Sequence, residues 1–341
     1  MLYFNSDYME GTYPAILEKL SEINFEKNTG YGEDKYSKSA EEKIKKICGC
    51  ENARVKFLVG GTQTNAVVIG GILRSYEGVI AADTGHISVH EAGAIELGGH
   101  KVITLPNKDG KLMAEEIERY MDTFNGDETN THMVYPAMVY ISHPTEYGII
   151  YTKKELMDLR NVCDKNNMLL YIDGARLGYG LGAENTDVNI KDIAEISDVF
   201  YIGGTKAGAL FGEAVVVTNP DILPHFFTVI KQHGALLAKG WLLGVQFDTL
   251  FTDNAYFEIT KKAVKLACKL KKAFIEKGYK MYIDSPTNQQ FVVLENSKMA
   301  ELSKYVSFSF WEKYDENNTV VRFATSWATT DEDIEKLIDL I

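Results

Sequence analysis

Through roughly the first 240 positions, short runs of consecutive apolar residues alternate with longer stretches in which apolar residues recur every third or fourth position. The runs at 55–59, 79–82, 101–105, 138–142, 169–172 and 199–202 have the length and composition of strands buried on both faces. The helical period predicts helices over 15–26, 38–48, 62–73, 88–96, 113–124 and 153–165. Alternating strand and helix imply right-handed crossovers, and hence a mostly parallel sheet covered by helices on both sides. Beyond position 240 the pattern changes. One long helical region, 241–277, precedes shorter strands at 280–283, 291–294, 307–311 and 320–323, with helices near 298–304 and 331–341. The expected organisation is an N-terminal arm (1–14), a large α/β domain (15–240) and a smaller C-terminal α+β domain (241–341), with a helix rather than a linker at the boundary.

Composition narrows the class without choosing a function. At 341 residues, 45% hydrophobic and 25% charged, the chain has the make-up of an ordinary globular protein. A formal charge of −12 argues against a nucleic-acid partner. The main basic cluster, Lys261, Lys262, Lys265, Lys269, Lys271 and Lys272, is interleaved with Val264, Leu266, Leu270 and Phe274, as on an amphipathic helix with a solvated lysine face. Four cysteines in this length make no disulfide framework and read as reduced thiols of a cytoplasmic protein. Cys48-Gly49-Cys50 lacks the second ligand pair of a metal site. The N-terminus has no basic-then-apolar leader, and no uncharged run approaches a membrane span, so no membrane association is expected.

The chemistry concentrates at predicted strand ends. The run 169–172 delivers Asp173, and the run 199–202 delivers Gly203-Gly204-Thr205-Lys206. A lysine held among small residues at a strand terminus loses solvation, its pKa falls, and the neutral amine becomes a Schiff-base nucleophile. Pyridoxal 5'-phosphate (PLP) requires such a lysine and an acid against its ring nitrogen. Gly60-Gly61-Thr62-Gln63, between a strand and a helix, reads equally as a phosphate cradle or as a glycine-rich turn with Thr62 as cap. Arg176 and Arg322 are candidates for a substrate carboxylate because a guanidinium fork matches two oxygens. Arg322 lies in an apolar strand pattern, where an unpaired charge is costly, so either an ion pair or an anionic ligand is implied. His86 and His90, four apart, leave a zinc reading open, although no third ligand is evident.

Asp173-Gly174-Ala175-Arg176 followed by Gly-Gly-Thr-Lys206-Ala-Gly resembles the PLP-dependent threonine aldolases of the aromatic amino acid β-eliminating lyase/threonine aldolase family. The resemblance extends over nearly the whole chain, through Asn5-Ser6-Asp7, Gly30-Tyr31-Gly32-Glu33-Asp34, Gly60 to Asn65, His86-Ile87, Glu91-Ala92-Gly93 and Val321 to Trp327. It implies the fold type I of PLP enzymes and an L-threonine or L-allo-threonine aldolase that releases glycine and acetaldehyde. Lys206 would carry PLP, Asp173 would sit at the pyridine nitrogen, and Gly61, Thr62, Gln63 and Thr205 would lie around the phosphate. His86 would stack on the ring and serve, itself or through a water, as general base. Arg176, Arg322, Ser6 and Tyr31 would face the substrate, and Arg176 would contact the cofactor as well. Sites completed across a homodimer or homotetramer are also implied, with Lys231, His233 or Lys239 reaching the neighbouring cofactor phosphate. Rival readings are a β-eliminating lyase or aminotransferase acting on another amino acid, or a PLP-binding protein without turnover.

Overall fold

The computed structural model describes all 341 residues. Seven strands form one sheet in the order 54–58, 213–217, 199–203, 169–173, 135–142, 77–82 and 102–105. All run parallel except Glu213–Val217, which is antiparallel to both of its neighbours. Each strand alternates its side chains between two cores. Leu170, Ile172, Phe200 and Ile202 enter the larger cluster, against the helices Lys35–Cys48, Lys153–Lys165 and Ile190–Ile196. Tyr140, Tyr171 and Tyr201 enter the other, against Gly61–Ile72 and Phe226–Gln232. With apolar residues needed on both faces, the strands show no polar alternation, which is why they read as continuous runs.

A second, four-stranded antiparallel sheet is built from Lys280–Ile283, Gln289–Glu295, Asn318–Ala324 and Ser309–Lys313. The N-terminal segment runs along this sheet: Leu2 and Tyr3 pair with Val306 and Ser307, and the Phe4 carbonyl accepts from the Ala324 N–H at 2.8 Å. Val264, Leu266, Leu270 and Phe274 are buried on the helix Ala255–Glu276, as the lysine spacing required.

Three expectations need correction. The strand Glu213–Val217 was absent from the sequence reading; its apolar run follows Lys206 too closely for a crossover helix, and it reverses direction instead. The region 241–277 is two helices, Trp241–Leu250 and Ala255–Glu276, interrupted where Asp253 and Asn254 take positive φ of 50° and 58°. These residue types enter the left-handed region more readily than most. The stretch 88–96 is likewise two single turns, His86–Val89 and Ala94–Leu97, separated by Ala92 and Gly93 at φ 52° and 73°.

Candidate active site

The C-terminal ends of the parallel strands open into a cavity of about 250 Å³, whose lining includes Gly60, Gly61, Thr62, His86, Asp173, Arg176, Thr205 and Lys206. A parallel sheet places every strand's outgoing loop on this one edge, so residues far apart in sequence converge there.

Asp173 ends the strand Leu169–Asp173 and is buried. Tyr140 Oη donates to its Oδ2 at 2.5 Å, Asn65 Nδ2 to the same oxygen at 3.2 Å, the Ala175 N–H to Oδ1 at 2.9 Å, and Tyr201 Oη to Oδ1. The third tyrosine of the row, Tyr171, donates to Asn65 Oδ1 at 2.7 Å and so fixes the amide. Four donors hold one carboxylate at the base of the cavity and satisfy both of its oxygens.

Two glycines allow the strand ends to approach. A Cβ on Gly174 would stand 1.9 Å from the Tyr201 carbonyl, and one on Gly203 would stand 2.3 Å from that of Ala175. Lys206 follows in the wall of the cavity. Burial pushes its amine below the usual lysine range, and the Arg176 charge adds to the effect. Glu213, at the start of the antiparallel strand, faces the same cavity, and its Oε2 accepts the Gly204 N–H at 3.0 Å. Burial raises this carboxyl to about 8, with Lys206 opposing.

At another part of the wall, the helix Gly61–Ile72 begins without a side-chain cap; its first intrahelical donor is the Thr64 N–H, which bonds the Gly60 carbonyl. The amides of Gly61 and Thr62 are left for an anion. Gln63 does not line the cavity; its Oε1 accepts from the Val59 N–H at 3.3 Å and steadies the turn. Thr205 lines it while accepting from the Gly212 N–H at 2.9 Å.

His86 heads a short turn, and its Nδ1 lies 2.7 Å from Oε1 of the buried Glu91, which also accepts from Asn65. Burial alone would lower the imidazole pKa, but the Glu91 hydrogen bond and the charges of Asp173 and Glu91 outweigh it and raise it. His90 is exposed, and no group of three metal-ligating side chains surrounds the pair.

Arg176 lines the cavity, but its fork is occupied: Nε and Nη2 donate to the two oxygens of Asp7 at 2.7 and 2.9 Å. Burial would raise Asp7, yet Arg176 overrides it and holds the carboxyl at about 2. Arg322 donates to Gln289 Oε1 and the Asn5 carbonyl at 3.0 Å each, while its Nε is buried without a partner. Burial pushes Arg322 down to about 10, with the Arg176 charge adding, so the guanidinium lacks a counter-anion. Ser6 Oγ is also buried and unpartnered. Neither Ser6 nor Arg322 is part of the cavity lining, although Ser6 stands two positions before Tyr8, which is, and the charge of Arg176, which also is, acts on Arg322.

Tyr31 is remote from this cavity: it borders a second depression, with Lys231 Nζ 5.1 Å from its ring centre. Lys231, His233 and Lys239 are all exposed. The sequence reading missed Tyr140, Tyr201, Glu146 and Glu213, and it met Asp7, Asn65 and Glu91 only as members of motifs, with no role assigned. One signal was available for the tyrosines: Tyr140, Tyr171 and Tyr201 each stand two residues before the last residue of neighbouring strands, so their hydroxyls meet at the same edge.

The arrangement fits PLP on its own terms. It offers a nucleophilic amine, a saturated carboxylate for a pyridinium, and free helix amides for a phosphate. The model of the beta-eliminating lyase family matches residues 4–295, and the chain belongs to that family of PLP-dependent lyases. It is 27% identical to a low specificity L-threonine aldolase of Pseudomonas aeruginosa over 99% of this chain and 95% of that one. A solved threonine aldolase of Leishmania major superposes with a TM-score of 0.96 at 41% identity, over 100% of this chain and 98% of the other. Cystalysin of Treponema denticola, solved with PLP, shares the fold at a TM-score of 0.73 and 15% identity, over 100% of this chain and 90% of its own. The mixed sheet with its smaller C-terminal sheet is the fold type I of PLP enzymes.

Proposed function

We propose that this chain is an aldolase of β-hydroxy-α-amino acids that cleaves L-threonine and L-allo-threonine to glycine and acetaldehyde. The observation that carries the reading is the coincidence, in one cavity, of Lys206, Asp173 and the open end of the helix Gly61–Ile72, in a chain so similar to threonine aldolases along its length. Bound there, PLP supplies a conjugated system that accepts the electron pair released at the substrate's Cα. Lys206 would be the amine that holds the cofactor. Asp173, fixed by four donors, holds a proton on the pyridine nitrogen. His86 would border the cofactor, and the free amides of Gly61 and Thr62, with Thr205, would hold its phosphate. Arg322 Nε and Ser6 Oγ, both buried without partners, are the donors a substrate carboxylate would satisfy, and Arg176, oriented by Asp7, adds its charge. Clamping the carboxylate would fix the orientation of the substrate's Cα–Cβ bond.

We further propose a homodimer or dimer of dimers that completes each site with Tyr31 and one of Lys231, His233 and Lys239 of the neighbouring chain. In support, the two segments pack together, the Tyr31 N–H donating to the Ala238 carbonyl at 3.2 Å. A cytoplasmic location is supported by four unpaired cysteines, and no helix is long and apolar enough to cross a membrane.

Incubating the PLP-loaded protein with L-allo-threonine and L-threonine tests the function, with acetaldehyde read by a coupled reductase and glycine by NMR. Equimolar glycine and acetaldehyde are expected. 2-Oxobutyrate with ammonia would move the assignment to β-elimination, and bound PLP with no product would leave a binding protein.

A further inference from the structure

Glu146 follows the strand Tyr135–Ser142 and lines the cavity that holds Lys206 and Asp173. Its Oε1 is pinned by two donors, the Ser142 hydroxyl at 2.6 Å and the His86 N–H at 3.0 Å. No hydrogen bond engages its Oε2. A carboxylate anchored through one oxygen and open through the other has the form of a proton-transfer group.

The other carboxyl and imidazole groups of the cavity are committed elsewhere. Asp173 is saturated by four donors. Glu213 accepts from the Gly204 backbone beside Lys206. His86, the expected base, has Nδ1 held by Glu91, and this partner favours the imidazolium, which cannot accept a proton. Resting on the aldolase reading, we propose that Glu146, through Oε2, is the catalytic base that accepts the β-hydroxyl proton of the amino acid substrate.

In that step the β-O–H bond breaks and its proton passes to Oε2. The oxygen's electrons form the aldehyde C=O as the Cα–Cβ bond breaks, and that bond's pair is taken up by the conjugated system the cofactor supplies. The proton on Oε2, directly or through water, later replaces Cβ on Cα, so glycine and aldehyde account for every atom without a further reactant. The groups whose charge bears on Glu146 are His86, Asp173, Tyr140, Tyr147 and Tyr151. Burial raises the Glu146 carboxyl above the ordinary glutamate range, and the Asp173 charge adds to it. Activity that needs the ionised form should therefore fall as pH drops through a value above that of a free glutamate.

The test uses the PLP-loaded enzyme and its Glu146→Gln and Glu146→Ala variants. For Glu146→Gln, kcat for L-allo-threonine should fall about 10²- to 10⁴-fold, the scale of a lost general base. Affinities for PLP and for glycine, which has no β-hydroxyl, should stay within about twofold, and the acid limb of the kcat/KM profile should vanish. Formate added to Glu146→Ala should restore part of the rate, which a purely structural role would not allow. The inference is overturned if Glu146→Gln keeps the wild-type rate or acid limb, if PLP and glycine affinities collapse with the rate, or if formate restores nothing. Those outcomes leave the aldolase reading standing. If the wild-type enzyme binds PLP and glycine yet cleaves no β-hydroxy amino acid, the aldolase reading falls and this inference with it.

Discussion

Arg322 shows how a single residue's surroundings define its role. Its side chain is taken from water, repelled by Arg176 and left with an unpartnered Nε, a combination that a folded protein keeps only where an anion compensates it. Arg322→Lys should preserve the charge and lose the fork. Removing a charge-assisted hydrogen bond costs about 2 kcal/mol, or roughly thirtyfold in KM for the amino acid, with PLP affinity unchanged; an unaltered KM would place the carboxylate elsewhere. Glu213 makes a second prediction at this scale. Its carboxyl is raised from 4.5 to about 8 in the fold, so the folded protein holds a proton that the unfolded chain gives up. That contribution to stability is complete below pH 4.5 and is lost as pH rises toward 8. In the PLP-free protein, Glu213→Gln should therefore gain in Tm relative to wild type as pH is raised from 5 to 8, and a pH-independent difference in Tm would refute the burial argument.

Among the elements, the adjoining ends of Leu169–Asp173 and Val199–Gly203 are joined so closely that two glycines are obligatory. The Gly203 N–H donates to the Gly174 carbonyl at 2.9 Å, and a Cβ on Gly174 would overlap the Tyr201 carbonyl, a backbone atom with no rotamer to escape into. Gly174→Ala should destabilise by about 3 kcal/mol or more and separate Asp173 from Tyr201. Thermal unfolding and PLP titration check this, and a soluble variant with wild-type Tm and PLP affinity would contradict it. The helix Trp241–Leu250 makes a similar contact: Gly244 lies against the Ser37 backbone, where a Cβ would come within 2.5 Å of the nitrogen. Ser39 Oγ and Lys43 Nζ bind Asp248 at 2.6 Å on the same pair of helices.

For the whole molecule, the N-terminal arm ties the two sheets together at the site. Asp7 receives Arg176, just past the strand Leu169–Asp173 of one, and, through Oδ2, Asn288 Nδ2 at 2.9 Å, just before the strand Gln289–Glu295 of the other. Assembly supplies the prediction at this scale. If Lys231 or Lys239 serves a neighbouring site, mixing inactive Lys206→Ala chains with inactive Lys231→Ala or Lys239→Ala chains should restore activity, because each hetero-dimer regains one competent site. Purified hetero-dimers without activity would confine those lysines to their own subunit.

By itself the sequence determined the layered α/β fold, the strand ends that carry Asp173 and Lys206, and the PLP chemistry they permit. Those features are local: apolar runs, glycines and their spacing act within a few residues. Only the tertiary structure decided that Glu213–Val217 runs backwards and brings Glu213 beside Lys206, because strand direction depends on pairing with distant strands. It decided that Arg176 is spoken for by Asp7, 169 positions away, while Arg322 has a free donor. It also turned three tyrosines that pattern alone assigned to the core into a hydrogen-bonded frame around Asp173. Their rings are buried like any apolar side chain, but their hydroxyls need partners, and only the register of adjacent strands places those partners at the strand ends.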